Sequence, residues 1–171
     1  MPIYQVTQRI NAPADVVWKH LSNILAWPEW LPTVTAVSPL EGKTCQIGAK
    51  FKVIQPKLRP AIWQVTKLEP GQCFIWESTS PGIQLWASHT VRIIGSEESG
   101  VELQFRFSGT LGVFLGWIAG SITRKYITTE ASSLKVLAES NAHDEAFFQS
   151  DSRLTSGHGS LTSGRWTGDS P

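Results

Sequence analysis

The sequence is poor in most features that would commit it to a particular chemistry. It has only two cysteines, Cys45 and Cys73, and their separation fits neither a metal-ligand nor a redox spacing, so free buried thiols in a reducing compartment are expected. No run of lysines or arginines occurs and the net charge is +1; the bulk composition offers no electrostatic case for nucleic acid or an anionic membrane. No glycine-rich phosphate loop follows a strand. No histidine pair has metal-ligand spacing, and no serine sits in a nucleophile elbow. Neither a cofactor nor a metal is therefore expected. The longest apolar stretch, Leu111–Gly120, is too short and too glycine-rich to cross a bilayer. The N-terminus opens on a strand-like run in place of a basic and apolar leader. These absences together predict a cytoplasmic chain.

What is present is aromatic. Eight tryptophans stand in 171 residues, seven of them before residue 118, and the length suits one domain plus a tail. Residues 3–10 alternate as a short strand. Asn11, Pro13 and Asp15 then mark a helix start over NAPADVVWKHLSN, with Asn11 as the cap and Val16, Val17, His20 and Leu21 on one side. Pro28 and Pro32 limit AWPEWLP to a turn or two of helix. Its Trp27 and Trp30 either anchor a loop on the core or line a pocket. Strands are predicted over 33–38, 49–55, 61–68, 73–79, 84–94 and 101–107. EPGQ at Glu69–Gln72, SPGI and GSEESG supply the turns. Phe51, Trp63, Phe74, Trp76, Leu85, His89 and Phe105 fall on inward faces, whereas Glu77 and Glu102 fall outward.

The rest is organised around residues 111–139, a long amphipathic helix of roughly 40 Å at ~1.5 Å per residue. At ~100° per residue, Leu111, Leu115, Ile118, Ala119, Ile122, Tyr126, Thr129, Val136 and Leu137 share one side. Arg124, Thr128, Lys135 and Glu139 share the other. Thr129 and Ser133 stand where Leu would seal a core, which predicts an incompletely filled interior. Gly112, Gly116 and Gly120 lie on a neighbouring face; each costs a helix about 1 kcal/mol relative to Ala. They indicate either tight packing on a strand or a mobile roof over a cavity. Trp117 and Val113 point away from the stripe, as a satellite core or as an exposed lip for a pocket mouth, a dimer or a membrane. Residues 150–171, rich in Gly, Ser and Thr, read as a disordered tail. Consecutive hairpins with helices on one face make the fold α+β.

Within the predicted sheet the ionisable candidate is His89, either a hydrogen-bonded core histidine or a ligand contact and general acid–base. Tyr126 could donate a hydroxyl to the same space. The strings INAPADVVWKHLSN with AWPEWLPTV, IGAKFKV, WQVTKLEPGQCFIWES, SHTVRII and FSGTLGVFLG resemble the START-like, or birch-pollen-allergen-like, superfamily. The nearest likeness within it is to the bacterial polyketide cyclase/dehydrase and lipid-transport group, over residues 3–139. The resemblance implies a helix-grip fold, a seven-stranded antiparallel curved sheet wrapped around the long helix. It implies a cavity for a hydrophobic small molecule such as a lipid, quinone or polyketide. Trp27, Trp30, Phe51, Trp63, Phe74, Trp76, Leu85, His89, Phe105, Ile118, Ile122 and Tyr126 are the expected lining. Three functions follow: a carrier or sensor of an apolar ligand, a cyclase or dehydratase using His89 and Tyr126, or an interaction protein using Trp117 and the AWPEW loop against a partner or, transiently, a membrane.

Overall fold

The computed structural model describes residues 2–155, with side chains described through residue 144. Its elements run β1 (Ile3–Ile10), α1 (Ala14–Ser22), a 3-10 turn (Ile24–Ala26), α2 (Trp27–Trp30), β2 (Ala36–Glu41), β3 (Lys50–Ile54), β4 (Ala61–Glu69), β5 (Cys73–Ser80), β6 (Ile83–Gly95), β7 (Glu98–Ser108) and α3 (Thr110–Thr155). The strands form one seven-stranded sheet in the order β1-β7-β6-β5-β4-β3-β2. All pairings are antiparallel, and the curved sheet grips the long helix as expected.

Strand alternation sets the inner face. Register pairs Val101 with Val91, Leu103 with His89, Phe105 with Ala87 and Phe107 with Leu85. The same face continues through Phe74 and Trp76 on β5 to Trp63 and Phe51 on β4 and β3. Turns close where glycine permits a left-handed backbone. Gly82 has φ +74° and Gly109 φ +89°. A Cβ on Gly109 would fall within 3.4 Å of three atoms of the Gly82–Ile83 backbone, so the β5–β6 turn and the entry to α3 are fitted to one another. The Gly82 carbonyl accepts from the N–H groups of Leu111 and Gly112 at 2.9 and 3.1 Å, satisfying two of the orphan donors of the helix start.

Several boundaries depart from expectation. Pro13, not Asn11, is the N-cap of α1, and no side chain caps it; the Asn11 N–H instead donates to Glu139 on α3 at 2.7 Å. β2 starts at Ala36, not Thr33, because a turn closed by Val34 N–H on Leu31 O (2.9 Å) first buries Leu31 and Val34. Most of GSEESG is strand: β6 runs to Gly95 and β7 starts at Glu98, where Arg9 pairs with Glu98 and Ser99 Oγ donates to Ala12 O. Helix α3 continues to Thr155, so 150–155 of the expected tail is helical; 156–171 lies outside the described residues.

The helix also sits in a different rotational phase. Leu111, Leu115, Ile118 and Val136, expected inside, are exposed, while Thr123, Ile127, Ala131, Leu134 and Ala138 are buried. The glycines are the reason. α3 lies over β1, β7 and β6, and small residues allow that approach. A Cβ on Gly116 would overlap Pro2 and stand 3.0 Å from Phe107, and one on Gly120 would overlap the Tyr4 ring. Tyr4 Oη donates to Gly116 O at 2.8 Å. Of the two readings of these glycines, tight packing on a strand is the one realised.

Candidate functional site

The inward rings of β4, β5, β6 and β7 meet those of α2 in a connected box. Trp63 stacks on Trp76 with centroids 5.0 Å apart. Trp27 stands edge-on to Trp76 at 5.2 Å and to Trp30 at 6.1 Å. The His89 imidazole lies flat on Phe74, 4.4 Å between centroids and 6° between planes, with Trp76 and Trp27 each 5.5 Å away. Phe105 closes on Trp63 at 5.8 Å. These rings touch, so the box is filled by its own side chains, contrary to the expected open interior.

The polar groups at this box are the informative part. His89 is 4% exposed. Its Nε2 stands 3.0 Å from Glu130 Oε1 on α3, where the carboxylate side chain is 12% exposed. The approach is of ion-pair length without a directed hydrogen bond, since Oε1 has no hydrogen-bond partner. His89 Nδ1, Trp76 Nε1 and Trp30 Nε1 are likewise buried and unpartnered. Trp27 Nε1, by contrast, is spent on Leu21 O at 3.1 Å. Buried polar groups are ordinarily satisfied, because leaving one bare costs about 1–3 kcal/mol. Trp76, His89 and Glu130 carry these bare atoms within one connected cluster, which Trp30 joins through Trp27, so a polar group reaching the cluster would find unpaired donors and acceptors. Among the described residues no group of three or more His, Cys, Asp or Glu is placed to hold a metal ion.

The family model for polyketide cyclase/dehydrase and lipid transport matches residues 1–139, the stretch that carries this sheet, box and helix. The chain belongs to that family. Among solved structures, the polyketide cyclase/dehydrase fold here is similar to the ZhuI aromatase/cyclase from Streptomyces sp. R1128, at 16% identity and TM-score 0.66, covering 81% of this chain and 93% of that one. It is similar to norcoclaurine synthase from Thalictrum flavum, solved with dopamine and hydroxybenzaldehyde, at 13% identity and TM-score 0.64, covering 80% and 85%. It is similar to a START superfamily protein from Mycobacterium smegmatis, at 12% identity and TM-score 0.59, covering 83% and 97%. At these identities the likeness is one of fold. No curated protein sequence matches the chain.

Of the expected lining, the box of this family member brings together Trp27, Trp30, Trp63, Phe74, Trp76, His89 and Phe105, with Leu85 packed against the same core. Phe51 is fully buried beneath it and also backs a separate groove of about 390 Å³ beside Trp18 and Cys45. Ile118 is turned to solvent. Ile122 is half-buried. Tyr126 does not offer its hydroxyl to the box; Oη donates to Pro56 O in the β3–β4 loop. Glu130 was missed. At ~100° per residue it shares the helix angle of Gly112, on the buried side once the phase is set by the glycines. It is also the only acid between Glu102 and Glu139, a signal visible without coordinates.

Proposed function

We propose that this chain binds a small, flat, largely apolar molecule carrying at least one oxygen function, held against the rings of Trp63, Trp76 and Phe74. The observation that carries this reading is the set of bare polar atoms on His89, Glu130, Trp76 and Trp30 inside an otherwise apolar enclosure. A pure hydrocarbon would leave them bare. A carbonyl, phenol or carboxyl would accept from the Trp76 indole N–H, and the rings would supply the apolar contact area. The test is extraction and native mass spectrometry of protein purified from its own source, with binding of 2-naphthol followed by tryptophan fluorescence. The reading expects an oxygen-bearing aromatic or polyketide-like molecule to co-purify, and naphthol affinity to fall at least about tenfold in Trp76→Phe, which keeps the ring area but removes the N–H. An empty protein whose Trp76→Phe variant binds naphthol as tightly as the parent would overturn it.

A second reading, acid–base catalysis on such a ligand, is favoured by one observation, the 3.0 Å approach of His89 Nε2 to Glu130 Oε1. With the proton on Nε2 facing the carboxylate, Nδ1 carries the free lone pair. It can take a proton from carbon or oxygen while Glu130 stabilises the resulting imidazolium. The same pair could return that proton in a dehydration. Turnover of an aromatic polyketide mimic by the parent, abolished in His89→Gln and reduced in Glu130→Gln with ligand affinity kept, is the expected pattern. Binding without turnover leaves the first reading alone.

A further inference from the structure

Helix α3 presents a second surface that the box does not use. On its first two turns Leu111 is 55% exposed, Phe114 65%, Trp117 79% and Ile118 65%. Leu111, Phe114 and Ile118 follow i, i+3, i+7 spacing and so form one ridge, with Trp117 beside it. Immediately beyond the ridge the helix turns basic. Lys125 stands two turns after Ile118 on the same line, and Arg124 and Lys125 line an open groove of about 610 Å³ whose other polar walls are the hydroxyl-bearing Tyr4, Ser121, Thr128 and Thr129. The β3–β4 loop, tied to the helix by Tyr126 and Pro56, adds exposed Lys57 and Arg59 around Leu58, itself 40% exposed. No acidic residue occurs between Glu102 and Glu130, nor between Glu41 and Glu69. The near-neutral net charge therefore conceals a segregated positive end.

We propose that this end of α3 lies on an anionic lipid surface, with the Leu111–Ile118 ridge in the acyl boundary and Arg124, Lys125, Lys57 and Arg59 at the phosphate level. An aromatic and aliphatic strip bordered by cations, with tryptophan at its edge, is the composition that partitions into a bilayer interface. The neighbouring groove, whose charges are both positive and whose walls carry hydroxyls, has the chemistry to receive a lipid phosphate. Segregated charge selects this occupant over a second copy of the chain: an apolar self-contact gains nothing from a one-sign border, whereas each cation near an anionic leaflet strengthens attachment about fivefold. The proposal does not rest on the ligand reading of the box.

Flotation of the full chain with vesicles tests it, comparing phosphatidylcholine alone with a 7:3 mixture of phosphatidylcholine and phosphatidylglycerol. The expected result is attachment at least tenfold stronger to the anionic vesicles, lost in 0.5 M salt, and abolished in the double variant Phe114→Ser, Trp117→Ser. Arg124→Glu with Lys125→Glu should reduce attachment about 25-fold or more. All four positions are exposed, so unchanged circular dichroism and melting separate lost attachment from lost fold. No flotation with either vesicle, or flotation unaffected by the Phe114/Trp117 double variant, overturns the proposal. So does a dimer in sedimentation equilibrium that the same double variant dissolves, which would assign the ridge to a second copy.

Discussion

His89 and Glu130 reach each other from elements that are 41 positions apart, and each is poorly provided for without the other. An ionised group taken out of water needs a close partner, and removing one member of a buried pair leaves the other uncompensated. A double-mutant cycle with His89→Gln and Glu130→Gln should therefore give a coupling of about 1–3 kcal/mol in denaturant unfolding. Strict additivity would mean that the 3.0 Å approach carries no interaction. Cys45 offers a separate test at this scale. Burial pushes its thiol up to about 11, and since only the thiolate is nucleophilic, peptide-resolved alkylation of Cys45 should stay slow through pH 9 and accelerate towards pH 11. Rapid labelling at pH 7.5 would show that the site is open to water.

At the scale of elements, the glycines of α3 are not equivalent, and their substitution separates propensity from packing. A Cβ on Gly112 would meet only ordinary contacts at 3.7–3.8 Å, whereas one on Gly120 would overlap Tyr4. Gly112→Ala should stabilise by about 0.5–1 kcal/mol through helix propensity. Gly120→Ala should destabilise by about 1–3 kcal/mol because Tyr4 must leave its rotamer. Equal effects at the two positions would count against the packing described. The same glycines explain what could and could not be read beforehand. Period-two alternation in Val101–Phe107 and the EPGQ turn belong to local chemistry, so the strands and the inward place of Trp63, Trp76 and His89 were legible. Helix phase was not, because the hydrophobic pattern favours the Leu111–Ile118 line. Only the requirement for close approach to Tyr4 and Phe107 puts the small residues inside. Ile118 and Tyr126 were misplaced by that one rotation, and Glu130 was missed with it.

Across the whole molecule several polar ties hold α3 to the sheet and its loops, and three of them differ in what they control. At its start Gly82 O takes the Leu111 and Gly112 N–H groups. Further along, the Glu139 carboxylate receives Lys135 Nζ at 2.5 Å and the Asn11 N–H. Partial burial alone would raise the Glu139 carboxyl, but those two bonds, with the lysine charge, hold it below the ordinary range. A depressed folded-state value contributes stability that is present above the unfolded carboxylate range and lost as pH falls through the folded value. Melting measured from pH 6 down to 2 should therefore fall less steeply in Glu139→Gln, by about 0.5 kcal/mol for so exposed a contact. Between these ends lies the Tyr126 bond to Pro56, one turn before Glu130. Because the rings of the box touch, entry needs a wall to move. The β3–β4 loop is the cheapest candidate: it is exposed, it carries Lys57 in a left-handed conformation at φ +64°, and this clip ties it to α3. Tyr126→Phe keeps the ring and removes the clip. It should speed hydrogen exchange over residues 55–60 and raise both the association and dissociation rates of 2-naphthol several-fold, with affinity nearly unchanged. A barrier lowered without a change in either end state alters the two rates alike. Glu139→Gln, which loosens a tie remote from the box, should leave those rates alone. If Tyr126→Phe leaves both rates at parental values while exchange over 55–60 quickens, the loop moves but is not the door.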